Sequence, residues 1–202
     1  MITGTSGAGK GTLVKSLLGR VPEVEPAVSA TTREQRPGEV NGREYWFLSH
    51  EEFTRRLEQG EFLEHINFPW GQRSGTLWSE LERIAAAGRA PLLELETYGA
   101  LVVRDEVPGS VTIFVKAPSF DELERRLRER ATESAGEIGE RLELARQQLA
   151  QEGEFDYVVV NDDLERATRE LVEIVRRELH AAANSQATRL AAQTEHGQSP
   201  RS

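Results

Sequence analysis

Met1-Ile2-Thr3-Gly4-Thr5-Ser6-Gly7-Ala8-Gly9-Lys10-Gly11-Thr12 opens the chain and runs directly into Leu13-Val14-Lys15-Ser16-Leu17-Leu18. Apolar and β-branched residues lead into a glycine-rich turn, then a lysine, then a run with helical spacing. Strand, loop and helix in that order are the context a phosphate-binding loop requires. The glycines let backbone N–H groups turn inward, and the helix N-terminus adds partial positive charge where a phosphate would sit. Lys10 supplies a full charge for the outer phosphates of a nucleoside triphosphate and is expected to face solvent, serving only the ligand. The usual loop has Ser or Thr directly after the lysine; here Gly11 intervenes before Thr12. Gly4, Thr5, Ser6, Gly7, Ala8, Gly9, Lys10, Gly11 and Thr12 together form the candidate triphosphate site. Few residues precede Gly4, so the reading expects either a stunted first strand or a start further upstream.

Outside this loop, composition narrows the function class. The 202 residues suit one domain with at most a small insert. A net charge of −9 argues against nucleic acid or an anionic membrane surface as the main partner. An anionic ligand must then be held by local arginine clusters. There is no cysteine, so neither disulfide nor thiolate chemistry is available. No apolar run approaches the roughly 18 residues of a membrane span and no signal peptide is visible, which makes the cytoplasm the default location.

Along the chain, 23–26 reads as loop and Ala27–Thr32 as a short strand. Residues 33–43 are polar, with turns at Pro37-Gly38 and Asn41-Gly42. Tyr45–Leu48 reads as a strand, Ser49 as a helix cap with Glu52 closing a capping box, and Phe62–Phe68 as a strand of period two. A helix over Leu77–Ala87, strands at Pro91–Glu96 and Val111–Val115, and a Ser119-capped helix to Arg130 follow. The small, polar Ala131–Gly139 reads as a mobile lid. A helix from about Glu140 to Gln151, a strand at Phe155–Val160 and a helix at Asp163–His180 complete the domain, and 181–202 reads as a disordered tail. The alternation predicts a three-layer α/β fold, a parallel sheet with helices on both faces. The β-rich region 29–76 interrupts it as a small antiparallel insert.

Arg33 and Arg36, beside the rigid Pro37-Gly38 turn, form either a bidentate clamp for a second phosphate or an ordinary solvated turn. Tyr45 could add a hydroxyl donor. Their wider surroundings carry a resemblance. The Gly-Lys-Gly-Thr form of the loop resembles adenylate kinases and other nucleoside monophosphate kinases. Val28-Ser29-Ala30-Thr31-Thr32-Arg33, Arg36-Pro37-Gly38-Glu39-Val40-Asn41-Gly42-Arg43-Glu44-Tyr45 and Gly60-Glu61-Phe62-Leu63-Glu64-His65 closely resemble guanylate kinases. So do Ser74-Gly75-Thr76, Leu93-Glu94-Leu95-Glu96, Arg130-Ala131-Thr132-Glu133 with Arg141-Leu142, and Val160-Asn161-Asp162-Asp163.

The resemblance implies a P-loop NTPase fold over residues 1–180, with a GMP-binding subdomain at 29–76 and a lid at 130–141. It also implies transfer of the ATP γ-phosphate to GMP, with Mg²⁺ accompanying ATP. Lys10, Arg130 and Arg141 match catalytic positions, and Asn161 matches a position near the ATP base. Arg33, Arg36 and Tyr45 match positions that bind the GMP phosphate; Ser29, Glu64 and Thr76 match guanine contacts. Glu64 makes chemical sense, because guanine offers N1–H and N2–H₂ as adjacent donors and a carboxylate accepts both. Glu94 and Glu96 stand where the family has aspartates. Magnesium would be held largely through water, with Glu94 serving that water and Glu96 the guanine, or the reverse. Two departures leave other readings open. Ser74 stands where the family has a tyrosine, so that either Arg73 is a substitute phosphate donor or that contact is lost, and Tyr98 replaces the usual glutamine or acid before Gly99. The alternatives are a divergent paralogue acting on another phosphomonoester, and a non-catalytic module that binds a phosphorylated protein.

Overall fold

A computed structural model of the chain describes residues 1–68, 71–129 and 135–196. The elements run β1 (Ile2–Gly4), α1 (Lys10–Leu18), β2 (Val24–Pro26), β3 (Ala30–Thr31), β4 (Trp46–Phe47), α2 (His50–Glu58), β5 (Phe62–Asn67) and β6 (Arg73–Leu77). They continue as α3 (Trp78–Ala86), β7 (Ala90–Leu92), α4 (Thr97–Glu106), β8 (Ile113–Lys116), α5 (Phe120–Glu129), α6 (Ala135–Ala150), β9 (Tyr157–Val160) and α7 (Leu164–His196).

β1, β8 and β9 pair in parallel, as do β2 and β7. The Ile2 N–H donates to Leu93 O at 2.8 Å and the Leu95 N–H to Ile2 O at 3.1 Å, which joins the two pieces. The order across the sheet is therefore β2-β7-β1-β8-β9, with β1 in the middle. β1 is three residues long and buried throughout. Alternate strand residues face opposite layers. Ile2, Ile113, Val115 and Val159 pack with Leu13 and Leu17 of α1 and Leu171 of α7. Phe114 packs on the other face with Ala100 and Val103 of α4, Leu95 and Phe155. This is the expected three-layer arrangement, in which a sheet covered on both faces has apolar strands rather than alternating ones.

The insert forms its own sheet, in the order β4-β3-β6-β5, over a core of Ala30, Phe53, Phe62 and Leu77. It is not wholly antiparallel as expected: β3 and β4 run parallel. Parallel neighbours need a crossover of about a dozen residues or more, and the long polar stretch between these strands supplies it.

Several local expectations are corrected. Val24–Pro26 is a strand rather than loop, because its register against β7 supplies what three residues cannot signal alone. α4 has no counterpart in the sequence reading, since Thr97-Tyr98-Gly99 opens it like a turn. Of the expected lid, Arg130 and residues 131–134 lie outside the described residues, while 135–141 already belongs to α6. The tail expected from 181 is helical as far as His196. The segment is rich in alanine, the best helix former, and α7 contains no Gly or Pro. Ser49 caps α2 by accepting the Glu52 N–H at 3.0 Å, but the Glu52 carboxylate turns to Arg55 and Arg56 instead of closing the box. No helix among the described residues is long and apolar enough to cross a membrane.

Candidate active site

The loop between β1 and α1 is shaped by glycines that nothing else could replace. Gly4 has φ +136°, and a Cβ there would lie 1.9 Å from Val115 O of the neighbouring strand. Gly9 caps α1 in the left-handed region at φ 87°, with the Asn161 amide packed directly over it. Asn161, at the end of β9, donates its Nδ2 to Ala8 O at 2.8 Å, and Arg126 of α5 donates to Asn161 O at 3.0 Å. The loop is thus held from outside by the first residue beyond β9. Thr5, Ser6, Gly7, Gly9, Lys10, Gly11, Thr12 and Glu94 line a cavity of about 420 Å³ at the α1 N-terminus. The two remaining loop positions, Gly4 and Ala8, are buried beneath it.

Lys10 does not face solvent as expected. It is half-buried, and its ammonium donates to Gly4 O at 2.6 Å and Thr5 O at 3.2 Å. Burial pulls its pKa below the ordinary lysine range, opposed by the charges of Glu96 and Glu94. An ammonium has three donors, so one N–H remains for a ligand.

A second cavity, of about 410 Å³, opens between the parallel sheet and the insert. Lys10 and Glu94 line both cavities. Ser29, Tyr45, Glu64 and Glu96 line the second one, so four of the seven residues expected for the acceptor converge there. Thr76 lies behind Glu64, its hydroxyl donating to Glu64 Oε1 at 2.8 Å. Glu64 is 9% exposed, and burial raises its pKa, with the Thr76 hydrogen bonds acting in the other direction.

A bulge delivers Glu64 to this place. Phe62 pairs with Leu77 and Glu64 with Thr76, so β5 takes two residues where β6 takes one. Phe62 then enters the core of the insert, stacked on Phe53 at 4.3 Å, while Glu64 turns to the cavity. Gly99, in the first turn of α4, leaves the carboxylate its space: a Cβ there would come within 3.2 Å of Glu64 Oε2.

Arg33 and Arg36 are not among the residues lining the cavity. Arg33 stands over the Tyr45 ring, 5.3 Å from its centroid, and is paired twice with Glu39, at 2.8 and 3.1 Å. Glu39 also accepts the Arg36 backbone N–H at 2.8 Å. The arginine is held beside the acceptor cavity with its charge already matched. Arg141 stands exposed on α6.

Two contributors were not singled out from the sequence. Gln148 of α6 is 3% exposed and donates to Glu96 Oε2 at 2.8 Å, fixing the carboxylate that borders Lys10. Only its helical register with the buried Ala145 could have suggested it. Gly99 could have been noticed as a glycine inside a helical run.

The family model for guanylate kinase matches residues 1–178. The chain belongs to the guanylate kinase family. It is 48% identical over 181 residues to the guanylate kinase of Rubrobacter xylanophilus, covering 88% of this chain and 92% of that one. To the guanylate kinase of Desulfitobacterium hafniense it is 45% identical over 178 residues, covering 88% of each. The crystal structure of guanylate kinase from Anaplasma phagocytophilum superimposes with a TM-score of 0.68 at 31% identity, covering 88% of this chain and 85% of that one. The fold is accordingly that of a P-loop NTPase. Arg73, read as a substitute donor for the family's tyrosine, has partners of its own. Its guanidinium is tied to Asn67 and Thr54, 4.4 Å over the Phe53 ring, while Ser74 lines the acceptor cavity.

Proposed function

We propose that this chain transfers the γ-phosphoryl group of ATP to GMP, giving ADP and GDP. The observation that carries the reading is the shared wall of the two cavities. A donor phosphate over the α1 N-terminus and an acceptor phosphate in the second cavity would both meet Lys10. The loop amides and the remaining Lys10 N–H hold the donor phosphates. Glu64, fixed by Thr76, accepts N1–H and N2–H₂ of guanine, and Ser29 and Glu96 complete the base contacts. Adenine would turn a lone pair toward the same carboxylate, a polar mismatch of about 1–3 kcal/mol. Arg33, Arg36 and Tyr45 bind the acceptor phosphate, Arg33 exchanging Glu39 for it.

No general base is required, since the attacking phosphate oxygen is already anionic; the site positions the two phosphates and screens their charge. Arg141, on α6, serves the transferring group; Arg130, expected to act with it, lies outside the described residues. Asn161 serves ATP through the loop it holds. No cluster of three metal-ligating residues occurs among the described residues. Mg²⁺ keeps much of its water and binds mostly through substrate phosphates. Glu94 is the carboxylate in the cavity that fits it, with the hydroxyls of Thr5, Ser6 and Thr12 on the same lining, and the ion would neutralise charge on the phosphates. The activity belongs in the cytoplasm with its nucleotides, with neither nucleic acid nor membrane as a partner.

The test is ADP release coupled to each of GMP, dGMP, AMP, CMP and UMP. GMP and dGMP should turn over, with AMP lower by about a hundredfold. Equal rates with AMP would favour a paralogue of different specificity. ATP failing to bind in calorimetry would favour a non-catalytic module.

A further inference from the structure

We propose that Glu80 is a positioning residue for the acceptor site, acting through Ser29 and Tyr45 without touching the acceptor; this rests on the GMP reading above. The insert is attached to the parallel sheet by two crossings. The chain leaves after β2 through Ala27 and Val28 and returns from β6 into α3, where Glu80 sits. Glu80 is 3% exposed and stands apart from the acceptor cavity's lining.

Its two oxygens collect four donors. Oε2 accepts the Val28 backbone N–H at 3.0 Å, and Oε1 accepts the Trp46 indole Nε1–H at 3.1 Å. Arg83, one turn on, donates Nε to Oε1 at 3.2 Å and Nη2 to Oε2 at 3.0 Å. Arg83 also reaches back to Glu25 of β2 at 2.6 Å.

The two groups held by Glu80 are the immediate neighbours of acceptor residues. Val28 lies between Ala27 and Ser29, which both line the cavity, and Trp46 follows Tyr45. One carboxylate therefore ties the outgoing crossing, the strand behind Tyr45 and the returning helix to a common point. A buried carboxylate is costly unless donors surround it, and here they do. An apolar side chain would fill the same volume but would not fix the directions of the Val28 N–H and the Trp46 indole.

The experiment compares wild type, Glu80→Gln, Trp46→Phe and the double variant by KM and kcat for both nucleotides, with unfolding followed separately. In Glu80→Gln the size is kept, but an NH₂ group faces donors that pointed at oxygen. KM for GMP should rise about tenfold, the scale of one hydrogen bond to a charged group, while KM for ATP and kcat stay within about twofold. Trp46→Phe should raise KM for GMP less, and the double variant no further than Glu80→Gln alone. A merely structural role would lower the unfolding temperature and leave KM for GMP unchanged well below it, which would overturn the proposal. KM rising equally for both nucleotides, or additive effects in the double variant, would overturn it as well. If Glu80→Gln does not fold, Trp46→Phe decides: KM for GMP must rise selectively. Wild type failing to turn over GMP would overturn the transfer reading itself; GMP turnover with unaltered KM in the variants would overturn only the role of Glu80.

Discussion

Replacing Glu64 by Gln tests the base-reading argument at its most exposed point. The carboxylate has one oxygen engaged by the Thr76 hydroxyl at 2.8 Å, and it lies at the cavity wall, where the proposed function has it accept two guanine donors. A glutamine offers one acceptor and one donor group, so a guanine N–H meets an NH₂. The loss is one charge-assisted hydrogen bond, about 1.5–3 kcal/mol, or roughly ten- to a hundredfold in kcat/KM for GMP. AMP, whose N1 lone pair is mismatched against the carboxylate and can accept from the amide NH₂, should not fall and should rise instead.

The pH dependence gives a second readout of the same group. Burial raises the Glu64 pKa, so its surroundings in the fold disfavour the ionised form. The stability associated with this group is full below its unfolded pKa and is lost as pH rises through the raised folded value. At neutral pH Glu64→Gln should therefore raise the unfolding temperature of the nucleotide-free protein while weakening GMP. Guanine donors favour the ionised form, so GMP binding should release protons on the acidic side of neutrality, and KM for GMP should rise as pH falls. Calorimetry in buffers of different ionisation enthalpy measures that release. Equal loss of kcat/KM for GMP and AMP, or a lowered unfolding temperature, would refute the reasoning.

Gly99→Ala should show a similar separation, holding or raising the unfolding temperature through about 1 kcal/mol of helix propensity while crowding Glu64 Oε2 and lowering kcat/KM for GMP about tenfold. Asn161→Ala frees Ala8 O and the loop above it, so KM for ATP should rise about tenfold with KM for GMP unchanged, as read in paired titrations. Lys10→Ala should cost about 10²–10³ in kcat. It should also lower the unfolding temperature, because Gly4 O and Thr5 O lose their donor; an unchanged temperature would mean that those contacts are dispensable. Arg36→Ala should weaken GMP and AMP by the same factor, since the phosphate it serves is common to both; a GMP-selective effect would place Arg36 at the base instead.

The phosphate loop, the alternation of strands and helices, and the family were legible in the sequence because each rests on short-range chemistry. Glycine at Gly4 and Gly9, a lysine at a helix start and apolar strands need only neighbouring residues to be recognised. The insert was legible as an interruption, though not its parallel β3–β4 pair, and Glu64 was singled out as a candidate acid by the motif around it. What sequence could not show depends on groups meeting across long separations. β2 is a strand only because β7 lies beside it, and α4 exists although its opening reads as a turn. Glu64 reaches the cavity through a bulge against β6, where strict alternation would have left it on the face of Phe62. Gln148 touches Glu96 from 52 residues away, and Glu80 gathers Val28 and Trp46 from two other segments. Lys10, read as a free cation awaiting phosphate, is turned onto the loop's own carbonyls, since a half-buried ammonium must find acceptors. Residue type and spacing determined which chemistry this chain can perform; tertiary packing decided where each charge points, because hydrogen bonds and burial are properties of the neighbours that folding brings together.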